Sequence, residues 1–295
     1  MTMTISAVDP GRPDFTALVT GLDLRSPLSS VDAAAIEAAI DRYAVLVFRG
    51  QSISDAQQIA VTRNFGALEE AYFVPGDNVQ AGRVPAEIND ISNLDRDNRV
   101  LPRDDRQRLF QLGNLLWHTD SSYKTVPAKY SLLSARAIPD HGGDTQFADM
   151  RAAWDTLDAA TRALVRDMTC EHSRLFSRGE LGFEFSDEER RKFAPTPQRL
   201  VRRHPVTGRL SLYLSSHGGA ITGWPLPEAR ALLRELSEHA TQRERVHTHR
   251  WQVHDLVMWD NRVTAHRGKR FPADQVRDMR RTTTTDDAPT LQQPA

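Results

Sequence analysis

The hydrophobic pattern changes period several times along the chain, and each change predicts an element. Ala44-Val45-Leu46-Val47-Phe48 is a short apolar run rich in β-formers, which predicts a buried strand. Ser54 to Phe65 predicts a helix. Ser54 with Gln57 three residues on makes a capping box, Ile59, Val61 and Phe65 supply an apolar face, and Gly66 stops it. With an earlier helix expected over Val31 to Tyr43, the opening reads strand, helix, strand, helix. Met150 to Leu157 and Asp158 to Met168 predict further helices. Pro227 to Ala240 is amphipathic, with Leu232, Leu233, Leu236 and Ala240 on one side. Strands are predicted over Tyr130 to Ala135, Leu210 to Ser215, Arg245 to Trp251, Leu256 to Trp259 and Arg280 to Thr285.

Two stretches break this pattern. Residues 70–112 are rich in Asp, Asn, Arg, Gly and Pro, and only Ile88 to Ser92 looks strand-like. Residues 173–200 are polar and charged, with Pro195 and Pro197. Stretches of this length without clear elements are usually functional lids or disordered insertions. The many short strands predict a mainly β protein, an antiparallel barrel or sandwich with helices packed outside. No internal repeat or composition break marks a boundary, so residues 1–295 are expected to form one domain.

Composition narrows the class. The chain is 39% hydrophobic and 26% charged, ordinary for a soluble globular protein. A net charge of -1 gives no global field for nucleic acid or an acidic membrane surface. One cysteine, Cys170, excludes an intrachain disulfide and fits a reducing compartment. The opening MTMTISAVDP is no secretory signal, and no run of 18 apolar residues occurs, so a cytoplasmic protein without a membrane span is expected.

Three segments offer chemistry. In Trp117-His118-Thr119-Asp120, a strand would put His118 and Asp120 on one face, where an imidazole and a carboxylate can hold a divalent metal. Two histidines and one carboxylate on one face of an octahedron leave three positions open, the arrangement of non-haem iron(II) oxygenases. Taken alone, the tripeptide fits a hydrogen-bonded core histidine better, because about one His-x-Asp is expected by chance in such a chain. The second segment, Trp259 to Gly268, ends a strand, turns, and returns His266; Arg277 follows, then Arg280 and Arg281. A guanidinium there can fork onto a carboxylate, or belong to a solvated basic surface. The third, Gly142-Gly143-Asp144-Thr145, permits a close backbone approach or an ordinary hairpin turn.

In order, HTDSS, GGDT, WDNRVTAHRG and RRTTTTDD resemble one family, the TauD/TfdA group of iron(II)/2-oxoglutarate dioxygenases. VTGLDLRSPLS, VLVFRGQSIS, RNFGALE, DISN, GGDTQFADMRAAWDTL and LSEHATQRE extend the resemblance through nearly the whole chain. Within the group it is most similar to the 2,4-dichlorophenoxyacetate dioxygenases, especially in LVMWDNRVTAHRG and ADMRAAWDTL. The resemblance implies a double-stranded β-helix (jelly-roll) core with lids at about 70–112 and 173–200. It implies Fe(2+) held by His118, Asp120 and His266, with 2-oxoglutarate and O2 as cosubstrates. Thr145 and Arg277 would bind the 2-oxoglutarate C5 carboxylate. Arg281, His217 and Asn93 would contact a small anionic substrate, and Arg99 would replace a second lid lysine. A homo-oligomer is expected. The expected reaction cleaves an aryloxyalkanoate to a phenol and a 2-oxoacid. The alternative is the same chemistry on a sulfonate, alkyl sulfate or biosynthetic carboxylate.

One departure bears on the substrate. The first lid of the phenoxyacetate enzymes carries a lysine where this chain has Val74, within EAYFVPGDN. Tyr72, Phe73 and Tyr123 are aromatic candidates for substrate contact, with plain packing the other reading. A zinc or manganese enzyme for hydrolysis or isomerisation and a non-catalytic binding protein are the alternatives from other classes; the Thr145 and Arg277 pair argues against the first, and the intact set of ligands and clamp residues against the second.

Overall fold

The computed structural model describes residues 2–70 and 83–294. Tyr72, Phe73 and Val74 lie outside the described residues. The chain opens with β1 (Thr4–Ala7), β2 (Ala17–Thr20), α1 (Ser30–Tyr43), β3 (Val45–Phe48) and α2 (Asp55–Thr62). Next come β4 (Asn89–Asp90), α3 (Arg106–Gln111), β5 (Ala128–Ala137), β6 (Thr145–Asp149), α4 (Met150–Asp155) and α5 (Ala159–Val165). Then follow β7 (Thr169–His172), α6 (Arg174–Gly179), α7 (Asp187–Lys192), β8 (Thr196–Arg199), β9 (Val201–Arg203), β10 (Leu210–Leu212) and β11 (Gly218–Ile221). Helix α8 (Leu226–Ala240) leads into β12 (Val246–His249), β13 (Leu256–Asp260), β14 (Thr264–Gly268) and β15 (Asp278–Thr285).

Seven strands make one sheet in the order β1-β2-β3-β13-β5-β15-β4, and three make a second, β12-β6-β14. Two small sheets, β11-β7-β8 and β10-β9, complete the set among the described residues. Among the described residues only β2 and β3 pair parallel.

Side-chain alternation stacks these layers. Leu46, Phe48, Leu132, Leu256 and Met258 point from the large sheet to α1 and α2, where Ile36, Ile40 and Val61 meet them. Val45, Val47, Leu133, Val257 and Trp259 point the other way and pack with Phe147 of β6. Ala148 and Ala265 face away from that interface and pack with Trp154 of α4 and Leu236 of α8. β3 and β13 are therefore buried on both faces, which is why their sequences are apolar without alternation. Helix α2 is fastened by its Ser54–Gln57 capping box and by buried Gln58, whose amide donates to the carbonyls of Leu132 and Arg280 at 3.1 and 2.9 Å.

The structure departs from the sequence expectations in several places. The pattern predicts a mainly β protein, whereas helices and strands are mixed. Residues 173–200 are not structureless: they hold α6, α7 and β8, and both helices start on serine caps, Ser173 and Ser186. Six-residue helices span under two turns, too short for apolar periodicity to repeat. In the described part of 70–112, the strand expected over Ile88 to Ser92 shrinks to β4 on the edge of the large sheet. His118 is not in a strand but in an isolated bridge to His266. No helix among the described residues is long and apolar enough to cross a membrane.

Candidate metal centre and active site

The site lies between the two facing sheets. β14 delivers His266, and the bridge holds His118 beside it through His118 N to His266 O at 2.9 Å and His266 N to His118 O at 2.8 Å. Asp120 follows two residues on. His118 Nε2 lies 3.8 Å from Asp120 Oδ1, and His266 Nε2 lies 3.7 Å from Asp120 Oδ2. All three side chains are buried, and their candidate ligand atoms lie within 4.8 Å of one another. Metal–nitrogen bonds of about 2.1 Å at right angles put neighbouring ligand atoms about 3 Å apart, so a small contraction closes this cluster on a cation.

The donor chemistry fits. His118 Nδ1 sits 2.8 Å from the Leu116 carbonyl; donating there leaves the Nε2 lone pair facing the cluster. Burial lowers the pKa of both histidines, that of His266 to well below its usual value, so both rings are neutral. Burial pushes Asp120 upward, but the Arg281 guanidinium and the two histidines outweigh it and hold the carboxyl below its usual range. Two neutral imidazoles and a carboxylate form the donor set a divalent cation takes.

Asp120 is gripped from behind. Ser131 Oγ donates to its Oδ2 at 2.8 Å, Asn261 Oδ1 accepts its backbone N–H at 3.2 Å, and Asn261 Nδ2 donates to Ser131 Oγ at 3.0 Å. Trp259 Nε1 donates to the same Asn261 oxygen at 3.1 Å. Sequence reasoning missed Ser131 and Asn261; the only signal was that Asn261 stands inside WDNRVTAHRG. A second group, Asp41, His204 and Asp260, has metal-like spacing, but the Arg262 guanidinium fills it, 2.7 Å from Asp260 and 3.3 Å from Asp41. That network anchors the turn between β13 and β14 and so fixes where His266 emerges.

A cavity of about 290 Å³ opens from the two histidines. Thr145, at the start of β6, lines it, and its Oγ1 accepts from Trp251 Nε1 at 3.0 Å. Arg277 lines it too; burial lowers its guanidinium to about 10, and no carboxylate pairs with it among the described residues. Its Nη2 donates to the Gly143 carbonyl at 3.4 Å. The close backbone approach expected of the glycine pair is met: Gly142 has φ +74, and a Cβ there would lie 2.4 Å from the Arg270 carbonyl oxygen.

The remaining expected residues scatter. Arg281 lines the cavity but pairs with Asp120, so its charge is already engaged. Asn93 lines it as well, yet its amide is committed to the Arg277 segment: Oδ1 accepts from Arg277 N at 2.9 Å and Nδ2 donates to Gln275 O at 2.8 Å. His217 is buried, its ring centroid 6.2 Å from that of His118, with Nδ1 2.9 Å from Ser177 Oγ. Tyr123 stacks edge-on to His217 at 4.9 Å. Arg99 stands on an exposed turn closed by the Leu94–Val100 bridge, away from the cavity lining. Its turn is held by Asp95 accepting from the Arg99 N–H, which points the side chain to solvent.

Known proteins resemble this chain over nearly its whole length. A family model described as taurine catabolism dioxygenase TauD, TfdA family, matches residues 7–283. The alpha-ketoglutarate-dependent 2,4-dichlorophenoxyacetate dioxygenase of Cupriavidus pinatubonensis is 45% identical over 281 residues, 95% of this chain and 98% of that one. The (S)-phenoxypropionate/alpha-ketoglutarate-dioxygenase of Delftia acidovorans is 38% identical, covering 90% of each. Among solved structures, AAD-2 in complex with Mn(II) and N-oxalylglycine superposes with a TM-score of 0.90 at 51% identity, covering 98% of this chain and 100% of that one. The chain belongs to the TauD/TfdA family and is a non-haem iron, 2-oxoglutarate-dependent dioxygenase.

Proposed function

We propose that the enzyme cleaves an aryloxyalkanoate to a phenol and a 2-oxoacid, converting 2-oxoglutarate and O2 to succinate and CO2. One observation carries this reading: a neutral-histidine and carboxylate cluster opens on a cavity whose wall holds Arg277, a buried guanidinium without a carboxylate partner. The similarity to enzymes named for 2,4-dichlorophenoxyacetate and phenoxypropionate supports the substrate class. Two facing sheets, antiparallel but for the β2–β3 pair, support a double-stranded β-helix core, one domain whose lids are about 70–112 and 173–200.

His118, Asp120 and His266 would hold iron(II), which when bound supplies the oxidation of a substrate C–H bond by O2 coupled to decarboxylation of 2-oxoglutarate. Arg277 would fork onto the distal carboxylate of 2-oxoglutarate, with the Thr145 hydroxyl as a second donor. Asn93 holds the backbone of Arg277 and so sets the height of that fork. Arg281 and Ser131 keep Asp120 ionised and oriented. Leu109, Leu112, Leu115 and Phe271 supply apolar wall that excludes water from the reacting carbon. Hydroxylation of a carbon bearing an aryl ether oxygen gives a hemiacetal, which collapses to the phenol and the 2-oxoacid with no further oxidant.

A panel of phenoxyacetate, 2-phenoxypropionate, an alkyl sulfate and an alkyl sulfonate tests the proposal by succinate release under air. Phenol release matched one to one with succinate is the expected result. Turnover of the sulfate or sulfonate alone overturns the aryloxyalkanoate reading.

A further inference from the structure

Ser121, the residue after Asp120, is buried and holds a left-handed backbone, φ 51. Glycine takes that region freely; another residue there is strained and persists where its surroundings over-determine it. The turn it opens is tight. Lys124 N donates to Ser121 O at 2.9 Å, and the chain re-enters as β5, whose Ser131 returns to Asp120 Oδ2 at 2.8 Å. The conformation at 121 therefore fixes the direction in which the backbone leaves Asp120.

Glu69 holds that conformation. Its buried carboxylate takes two donors on Oε2, the Ser121 hydroxyl at 2.7 Å and Lys124 Nζ at 2.8 Å, so one oxygen closes both ends of the turn. Hydrogen bonds to an ionised acceptor are about twice as strong as neutral ones. Glu69 is itself anchored: its backbone N–H donates to Thr283 O at 2.8 Å, beside the Leu68–Thr284 bridge. Thr283 stands on β15 two residues beyond Arg281, which grips the Asp120 carboxylate. One strand thus secures Asp120 twice, at its side chain through Arg281 and at its backbone through Glu69 and Ser121. Neither Glu69 nor Ser121 lines the cavity, so their influence on the reaction runs through the metal cluster.

We propose that Glu69 is a positioning residue for the metal centre: by binding the Ser121 hydroxyl it holds the left-handed turn that keeps Asp120 in register with His118 and His266. This rests on reading those three residues as the iron ligands.

Four variants test it: Ser121→Ala, Ser121→Gly, Glu69→Met, and Glu69→Met combined with Ser121→Gly. Both changes at 121 delete the hydroxyl, but alanine must bear φ 51 unaided, whereas glycine adopts it without steric cost. Ferrous affinity is read by anaerobic titration of the full chain with 2-oxoglutarate present, and Tm is recorded for each metal-free protein. Ser121→Ala and Glu69→Met are each expected to raise the ferrous Kd by about 10-fold or more, the usual cost of removing a group that orients a ligand. Ser121→Gly should stay within about three-fold of wild type, and Glu69→Met should add nothing in the Ser121→Gly background. Equal losses in Ser121→Ala and Ser121→Gly overturn the assignment, as does a wild-type Kd in Ser121→Ala. So does a Glu69→Met cost that Ser121→Gly leaves undiminished, or a fall in Tm with Kd unchanged, which marks a purely structural bond. If Glu69→Met does not fold, the two single changes at Ser121 decide. His118→Ala keeps the two readings apart. It is expected to lose ferrous binding; binding retained there would reject the ligand set and this assignment with it. Binding lost there, beside an unaffected Ser121→Ala, would reject the role of Glu69 alone.

Discussion

Asp120 depends on neighbours that touch no substrate. Asn261 accepts its backbone N–H and holds the Ser131 hydroxyl that bonds its Oδ2. Asn261→Ala is expected to weaken ferrous binding by about 10- to 100-fold, read by anaerobic titration, with KM for 2-oxoglutarate measured at saturating iron unchanged. His172 offers a different test, because its burial is uncompensated: Nδ1 meets only the Ser122 hydroxyl at 3.0 Å and Nε2 has no partner. Burial pushes its pKa from 6.5 down to about 3. The unfolded chain therefore takes a proton that the folded chain refuses. Its stabilising neutrality is fully present above pH 6.5 and is lost as pH falls below that value toward 3. The loss approaches about 1.4 kcal/mol per pH unit. Urea denaturation of His172→Gln at stepped pH should show a shallower acid limb than wild type; equal limbs would mean that His172 does not titrate as described.

Among elements, legibility followed apolar burial as well as length: α4 has only six residues but buries Met150, Ala153 and Trp154, and the pattern predicts it over Met150 to Leu157. The helices α1, α2 and α8 run for 14, 8 and 15 residues, long enough for a period or a cap to declare them. β3 and the Leu256–Trp259 stretch of β13 declared themselves by being apolar throughout. The six-residue helices α6 and α7 did not, although Ser186 with Glu189 is a capping box as plain as the one at Ser54. Neither buries an apolar side chain, and a charged run without periodicity reads as loop. Among the site residues, motif order pointed to His118, Asp120 and His266, but no motif says which way Asn93 or Arg99 turns. Asn93 is placed by a long-range hydrogen bond from the Arg277 N–H, and the Arg99 turn by the Arg99 N–H donating to Asp95. The GGDT hairpin carries a prediction at this scale. Gly142→Ala must accept φ +74 and a 2.4 Å approach to the Arg270 carbonyl, which displaces the strand bearing Thr145. KM for 2-oxoglutarate should rise by about ten-fold or more, and Tm should fall with the loss of about 1–3 kcal/mol.

At the scale of the whole molecule, the net charge of -1 conceals a polarised interior. Arg103, Arg108, Lys269, Arg270, Arg277 and Arg281 line the cavity, no Asp or Glu is among its lining residues, and among the described residues only Arg281 of the six is paired with a carboxylate there, Asp120, while Arg103, Lys269 and Arg270 are exposed at it. Such a mouth concentrates anions from solution, and salt screens it over about 8–10 Å. The value of kcat/KM for 2-oxoglutarate is expected to fall several-fold between low salt and about 0.3 M, and Lys269→Gln with Arg270→Gln should flatten that dependence. A salt-independent kcat/KM in the wild type would contradict it. The backbone bridge between His118 and His266 has its own consequence. Its two hydrogen bonds run backbone to backbone and use no metal-ligating atom, so stripping the metal is expected to leave the fold intact and reloading to need no refolding. A cage assembled in advance does not choose its guest, and nickel, copper and zinc outcompete ferrous iron at nitrogen and oxygen donors of this kind. Mismetallation is therefore expected to lower activity without unfolding the chain, and a chelator followed by fresh ferrous salt should restore it.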